Sequence, residues 1–203
     1  LREHREAALL SRRLATIVND MLFLSRADSG AQASSMVEDS LRSQVQQVVV
    51  FHEGEIAERE LSARIEGDVR AAFEPGLFRR AVSNLLSNAI RYADPGTEIL
   101  CCLREQDGGA WVEVSNRGVE IPADALPRLF DRFYRVQSCR QGSSGNHGLG
   151  LAIVAAIARM HGGSTTARSI GGRTTIAFSV AVRDRPAAGG GKAVAASKEM
   201  LRV

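Results

Sequence analysis

Leu10, Leu14, Ile17, Met21 and Leu24 recur at alternating steps of four and three, the spacing of a helix that packs into a bundle or coiled coil. Leu9, Val18, Leu22 and Phe23 widen the stripe, while Arg12, Arg13, Asn19 and Asp20 lie off it. Ala27-Asp28-Ser29-Gly30 closes the helix with a glycine stop, and small residues fill a linker over 31–35. A lone amphipathic helix of this length is marginal in water. Residues 1–30 therefore read as the second arm of a bundle whose first arm would precede residue 1.

Past the linker, 36–40 predicts a short strand and 41–59 a helix with Val45, Val48, Val49 and His52 on or near its inner face. Segments 61–66 and 69–73 flank Gly67-Asp68, a turn pair that predicts a hairpin. A strong helix is expected over 75–92, with Phe78, Ala81, Val82, Leu85, Leu86 and Ala89 inward. Two strands, 99–104 and 111–115, are joined by the turn residues 106–109; an apolar helix over 148–160 opens from a glycine-rich loop; a last hairpin, 164–169 with 174–182, turns at Gly171-Gly172. Helices and hairpins mix without the regular alternation of a parallel sheet, so the fold class is α+β: a two-layer α/β sandwich, a mixed sheet packed on helices, preceded by one long bundle helix. From 183 to 203 the composition falls to Ala, Gly and Lys without period, which predicts a disordered tail.

At 203 residues, 44% hydrophobic and 24% charged, the chain can bury one full domain, 36–182, plus a smaller piece. The net charge of +3 matches the five basic and two acidic residues of 183–203, so the folded body is neutral. That argues against a nucleic-acid or membrane-binding surface, either of which needs clustered Lys and Arg. No run approaches the ~18–20 apolar residues of a membrane span, and the start LREHREAALL lacks the features of a signal peptide. The three cysteines, adjacent Cys101 and Cys102 with Cys139 apart, read as reduced thiols, since no spaced Cys/His set accompanies them.

Two glycine-rich segments interrupt ordered sequence, Asn116-Arg117-Gly118 after a strand and 142–150 before a helix. Backbone amides can approach an anion where no Cβ intervenes, and a helix start adds its positive dipole end. GNHGLG is neither the Rossmann nor the P-loop pattern. Asn84 and Asn88 stand one turn apart on a helix that is apolar on its buried side. Alone, such a pair reads as amides capping neighbouring loops; beside phosphate-cradling loops, an amide carbonyl is a suitable hard ligand for Mg2+, whose remaining positions phosphate and water would complete.

In order, NLLSNAIRYA (84–93), VSNRGVEIP (114–122), LFDRFYR (129–135) and GNHGLGLAIV (145–154) resemble the N, G1, F and G2 boxes of sensor histidine kinases, within the ATPase superfamily shared with gyrase and the mismatch-repair ATPases. IVNDMLFLSRAD (17–28) resembles the end of their second dimerisation helix. VSNRGVEIP with LPRLFDRFYRV is most similar to the heavy-metal sensor kinases of the copper and silver type. The resemblance implies an ATP- and Mg2+-dependent protein-histidine kinase of two-component signalling, the cytoplasmic portion of an inner-membrane bacterial protein that is reached by membrane only through N-terminal regions. It implies a response regulator as partner and a homodimer through the bundle helices.

Carried over by position, the resemblance implies that Asn88 ligates Mg2+ and Asn84 supports it, that Arg91 meets phosphate oxygens, and that Tyr92 packs against adenine. Asn116 stands where most of the superfamily has the Asp that accepts from the adenine amino group; its carbonyl can still accept, without the charge. Gly118 lets the loop approach the base, Ile121 lines it, and Glu120 replaces the second glycine of that box. Arg135 is the contact to the terminal phosphate. Gly145, Gly148, Leu149 and Gly150 form the second glycine box, and 136–147 the lid. Phe130 and Phe133 read either as core packing or as lid anchors, Arg132 as a solvated or domain-contacting charge, His147 as a solvent-facing lid residue, and His52 and His161 as helix-end or partly buried histidines. The family's acceptor lies in a His-Glu-x-x-Thr-Pro helix; His4 is followed by Arg5-Glu6-Ala7-Ala8, so the acceptor is expected to lie outside this chain. Two other functions remain open: a catalytically degenerate nucleotide-binding regulatory module, and a serine-phosphorylating anti-sigma factor, which the bundle helix disfavours.

Overall fold

The structure is a computed structural model and describes residues 2–136 and 147–182. Helix α1 (Arg2–Asp28) stops at Gly30, whose φ of 82° a glycine adopts without strain. Strand β1 (Val37–Ser40) runs straight into α2 (Leu41–Phe51), because Ser40 is its N-cap and its hydroxyl accepts from the Ser43 N–H at 3.0 Å. There follow α3 (Glu53–Glu58), β2 (Ser62–Glu66), β3 (Arg70–Phe73), α4 (Pro75–Tyr92), β4 (Glu98–Gln106), β5 (Gly109–Arg117), a 3-10 turn at Leu126–Arg128, α5 (Gly150–Met160), β6 (Thr165–Ile170) and β7 (Arg173–Ala181).

Five strands form one mixed sheet in the order β2-β4-β5-β7-β6, parallel only between β2 and β4; β1 and β3 form a separate antiparallel pair. Helix α4 packs on β5, and α5 on β7 and along α4. This is the expected two-layer sandwich. The apolar face read from 75–92 is the buried face of α4, with Phe78, Ala81, Val82, Leu85, Leu86 and Ala89 all inside. Phe78 stacks on Phe73 at 4.4 Å between ring centroids and meets Phe178 at 5.6 Å, so one aromatic cluster joins the small sheet, α4 and the large sheet. Each such ring contributes about 1.5–3 kcal/mol by leaving water.

Two local expectations are corrected. The segments flanking Gly67-Asp68 do not form a hairpin: β2 pairs with β4 and β3 with β1. A tight two-residue hairpin of type I′ needs positive φ at both central residues, and here only Gly67, at 76°, has it. Gly67 lies against β4, where a Cβ would overlap the Leu103 carbonyl. The Asp68 carboxylate accepts from Ser40 Oγ at 2.9 and 3.0 Å and from the Arg42 N–H at 3.1 Å, so the turn caps α2 instead of closing a ladder. The helix expected over 41–59 is broken at His52, whose buried imidazole turns inward to Ser83 Oγ of α4 at 2.8 Å.

The bundle stripe of α1 is split between two surroundings. Leu24 is 1% exposed, and Ile17, Phe23 and Ala27 pack against the domain. Asp20 pairs with Arg80 at 2.6 Å, the Arg80 guanidinium sits 4.3 Å over the Phe23 ring, and Asp28 pairs with Arg132 and, at 4.0 Å, with Arg159. Leu14, Val18, Met21 and Leu22 stay about half exposed on the other side. An open depression of about 380 Å3 lined by Leu24, Asp28, Phe130, Arg132 and Arg159 lies under this helix. The expected lid residues 137–146, with Gly145 and Cys139, and the tail 183–203 lie outside the described residues, as do the side chains of 2–10, 12 and 13.

Candidate nucleotide site

Helix α4 puts Asn84 and Asn88 one turn apart, both half-buried. The Asn84 amide nitrogen donates to the Arg80 carbonyl at 2.9 Å, which turns its Oδ1 toward the start of α5. There Gly150 is so close that a Cβ would lie 2.9 Å from that oxygen. Asn88 makes no side-chain hydrogen bond among the described residues. Its carbonyl is therefore available to a ligand. Arg91 and Tyr92, at the end of the same helix, are half-buried.

The N-terminus of α5 begins with Leu149, a cap residue without a side-chain acceptor. Among the described residues its first N–H groups have no side-chain partner, and they add their partial positive charge to the side where Asn84 stands. Gly148 has φ of 69° and packs so tightly on the Phe133–Tyr134 backbone that a Cβ would approach Phe133 C to 2.8 Å. The Phe133 N–H donates to the Gly148 carbonyl at 2.9 Å. This bond joins the segments on either side of residues 137–146. Phe133 itself has φ of 62° and is 54% exposed, so it is not a core residue; Phe130 is the one packed against the core. A non-glycine residue at positive φ is strained, and here the Gly148 bond holds it. Arg132 contacts α1 through Asp28, Arg135 is half-buried beside it in the chain, and His147 is exposed.

Asn116 is the penultimate residue of β5, shares the sheet face of Ala110, Val112 and Val114, and is 5% exposed. Its amide nitrogen donates to the Arg117 carbonyl at 3.3 Å, leaving Oδ1 as the free acceptor. Gly118 is required by the packing itself: a Cβ there would overlap the Tyr92 carbonyl at the end of α4. Glu120 accepts from the Gly172 N–H at 3.2 Å, and the Ile121 N–H donates to Ser169 Oγ at 2.9 Å, so the loop after β5 is clamped to the β6–β7 hairpin. Sequence reasoning missed Thr174 and Ser169. Thr174 is the cross-strand partner of Asn116 and shares a 2.9 Å hydrogen bond with Ser169, giving a buried hydroxyl row beside the asparagine. The signal was a polar residue at Thr174, on the inward face of a strand whose other inward positions, Ile176, Phe178 and Val180, are apolar.

Burial pushes the Cys101 thiol up to about 12, and Cys102 is raised by burial and then by Glu113 and Glu66. Neither is a reactive thiolate. Among the described residues no group of three His, Cys, Asp or Glu is placed to hold a metal ion, and no helix is long and apolar enough to cross a membrane.

Residues 74–184 match the histidine kinase-, DNA gyrase B- and HSP90-like ATPase family. The chain is 37% identical over 164 residues to the sensor protein CzcS of Cupriavidus metallidurans, covering 81% of this chain and 34% of that protein. It is 40% identical over 158 residues to the sensor histidine kinase CusS of Escherichia coli, covering 77% of this chain and 33% of that protein. The solved histidine kinase AdeS of Acinetobacter baumannii superposes with a TM-score of 0.75 at 17% identity, over 89% of this chain and 84% of that one, a likeness of fold. The chain belongs to the histidine kinase-, DNA gyrase B- and HSP90-like ATPase family, and within it to the ATP-binding catalytic part of sensor histidine kinases. It spans about a third of the length of the curated relatives it matches.

Proposed function

We propose that this chain binds Mg-ATP between the Asn84–Asn88 face and the glycine start of α5, and transfers the terminal phosphoryl group to a histidine on another helix. The observation that carries this reading is the convergence at one place of Asn84 Oδ1, the unbonded amide of Asn88 and an uncapped helix N-terminus at Gly150, too close for any side chain. Amide carbonyls and helix-end N–H groups are the complementary donors for a cation and its phosphates.

Asn88 holds the Mg2+ with its carbonyl and Asn84 supports it; neutral amides fit a cation that brings its own phosphate oxygens. The bound ion supplies charge neutralisation at the phosphates. Arg91 and Arg135 meet phosphate oxygens, while Gly148, Leu149 and Gly150, with Gly145, shape the backbone cradle. Asn116 accepts from the adenine amino group, Tyr92 packs on the ring, and Gly118 and Ile121 complete the base pocket. Transfer is in line, and the chain's residues contribute position and electrostatics rather than covalent chemistry.

In the whole protein, residues 1–30 act as the second bundle helix, 31–35 as a linker, 36–182 as the catalytic domain and 183–203 as a tail. The exposed Leu14, Val18, Met21 and Leu22 face the rest of a homodimeric bundle. The phosphohistidine passes its group to a response regulator, in a heavy-metal response of the copper and silver type, from the cytoplasmic side of a bacterial inner membrane. Relatives named as sensor kinases favour this over a degenerate regulatory module. The test supplies a separate acceptor-histidine hairpin with labelled ATP. Acid-labile label on the hairpin is expected; ATP binding without transfer would favour the regulatory module.

A further inference from the structure

We infer that His161 is a positioning residue for the nucleotide site: it ties the end of α5 to the start of α4 and so keeps the asparagine and glycine boxes in register. His161 caps α5 and is 4% exposed. Its Nδ1 lies 2.8 Å from the Ile157 carbonyl, which can only accept, so Nδ1 carries the hydrogen. Its Nε2 lies 3.0 Å from the Glu74 N–H, which can only donate, so Nε2 is the lone-pair acceptor. One neutral tautomer satisfies both bonds.

Glu74 is the N-cap of α4, and its carboxylate accepts from the N–H groups of Gly76 at 3.0 Å and Leu77 at 2.6 Å. In a capping box the third helical residue would return the bond to the cap's own N–H. That residue is Leu77, which has no acceptor. The imidazole supplies it from a different helix, so this last bond at the start of α4 forms only once α5 is in place.

The two helices run antiparallel, with His161 against Glu74 at one end and Gly150 against Asn84 at the other. The site end is closely packed, since a methyl group on Gly150 would lie 2.9 Å from Asn84 Oδ1 and would have to displace that amide. Packed helices move as rigid bodies. A change in their crossing at the His161 end therefore shifts Asn84 against the Gly148–Gly150 backbone.

The inference rests on the nucleotide site proposed above. Two amide variants separate its two bonds: in H161Q the carbonyl reaches the place of Nε2 and can accept from Glu74, whereas in H161N the shorter amide can only donate to Ile157. Mg-ADP is titrated calorimetrically onto each, well below its melting temperature, and amide exchange is followed at Ile153, whose N–H donates to the Leu149 carbonyl at 2.9 Å. Wild type and H161Q should bind alike and exchange alike, while H161N should bind up to about tenfold more weakly, because binding must then restore the helix crossing that the lost buried hydrogen bond held, and exchange faster at Ile153. Equal binding by H161N and wild type, or equal weakening in H161Q and H161N, would overturn the positioning role even if both variants melt earlier. A wild type that fails to bind Mg-ADP removes the nucleotide reading; the exchange at Ile153 then still decides whether His161 sets the α4–α5 register.

Discussion

Gly150→Ala separates stability from binding at this site. The new Cβ lies 2.9 Å from Asn84 Oδ1, and that oxygen is the end of a side chain, so the clash is relieved when the amide rotates. Rotation breaks the 2.9 Å bond from Asn84 to the Arg80 carbonyl, a loss of about 0.5–1.5 kcal/mol for a part-buried hydrogen bond. Against this, alanine is favoured over glycine in a helix by up to about 1 kcal/mol. The two nearly cancel, so the melting temperature should stay within about 4 °C of wild type. Nucleotide binding should not survive as well, because the displaced amide enters the space assigned to the phosphates; an affinity loss of at least about tenfold is expected by calorimetric titration with Mg-ATP. Gly118→Ala is the control: its Cβ would overlap the Tyr92 carbonyl, a backbone atom that cannot rotate away, so it should lower the melting temperature well beyond Gly150→Ala. Unchanged affinity in Gly150→Ala would refute the placement of Asn84 in the site. A collapse in its stability would refute the claim that the contact is relieved by rotation.

Asn116→Asp should preserve or tighten adenine-nucleotide binding by about 1 kcal/mol, because a charged acceptor makes the stronger bond, and equal binding of ATP and GTP by the wild type would remove Asn116 from base recognition. Leu24→Ala should loosen α1 from the domain by about 2 kcal/mol or more, as expected for a buried leucine, whereas Asp28→Asn should cost under about 1 kcal/mol because both partners of its ion pairs are largely exposed; faster exchange of the α1 amides in the second variant than in the first would contradict an apolar docking. Cys101 has its thiol raised from 9.0 to about 12 by burial, so the folded state holds a proton that the unfolded chain releases. Its contribution is complete below pH 9 and is lost as pH rises toward 12, by about 1.4 kcal/mol per unit; Cys101→Ala should flatten the alkaline limb of a stability–pH curve, and an unaltered limb would contradict the assignment.

What the sequence made legible was whatever depends on near neighbours. The apolar face of α4 and the strands on either side of Gly108 and Gly171-Gly172 are local patterns, and the structure places them as expected; the order of the four boxes is likewise read along the chain. What it hid depends on partners far along the chain. Asp68 caps a helix 26 residues upstream and so cannot close a hairpin; His52 breaks its helix to reach Ser83, 31 residues on. The seam of α1 read as one apolar stripe because Arg80, Arg132 and Arg159, which draw Asp20 and Asp28 to the domain, lie on three other segments. Gly118 shows the same limit: its pattern was visible, while the Tyr92 carbonyl that demands a glycine was not.

The central claim is that Asn88 makes nucleotide binding depend on the metal. Its amide is half-buried and unbonded among the described residues, so Asn88→Ala removes a ligand without breaking a contact of the fold, and stability should change by under about 0.5 kcal/mol. Calorimetric titration of ATP onto wild type and Asn88→Ala, each with Mg2+ and with EDTA, tests this directly. Tight binding by the wild type is expected only with Mg2+, and weak binding by Asn88→Ala that Mg2+ does not improve. An Asn88→Ala protein that gains as much affinity from Mg2+ as the wild type would contradict it.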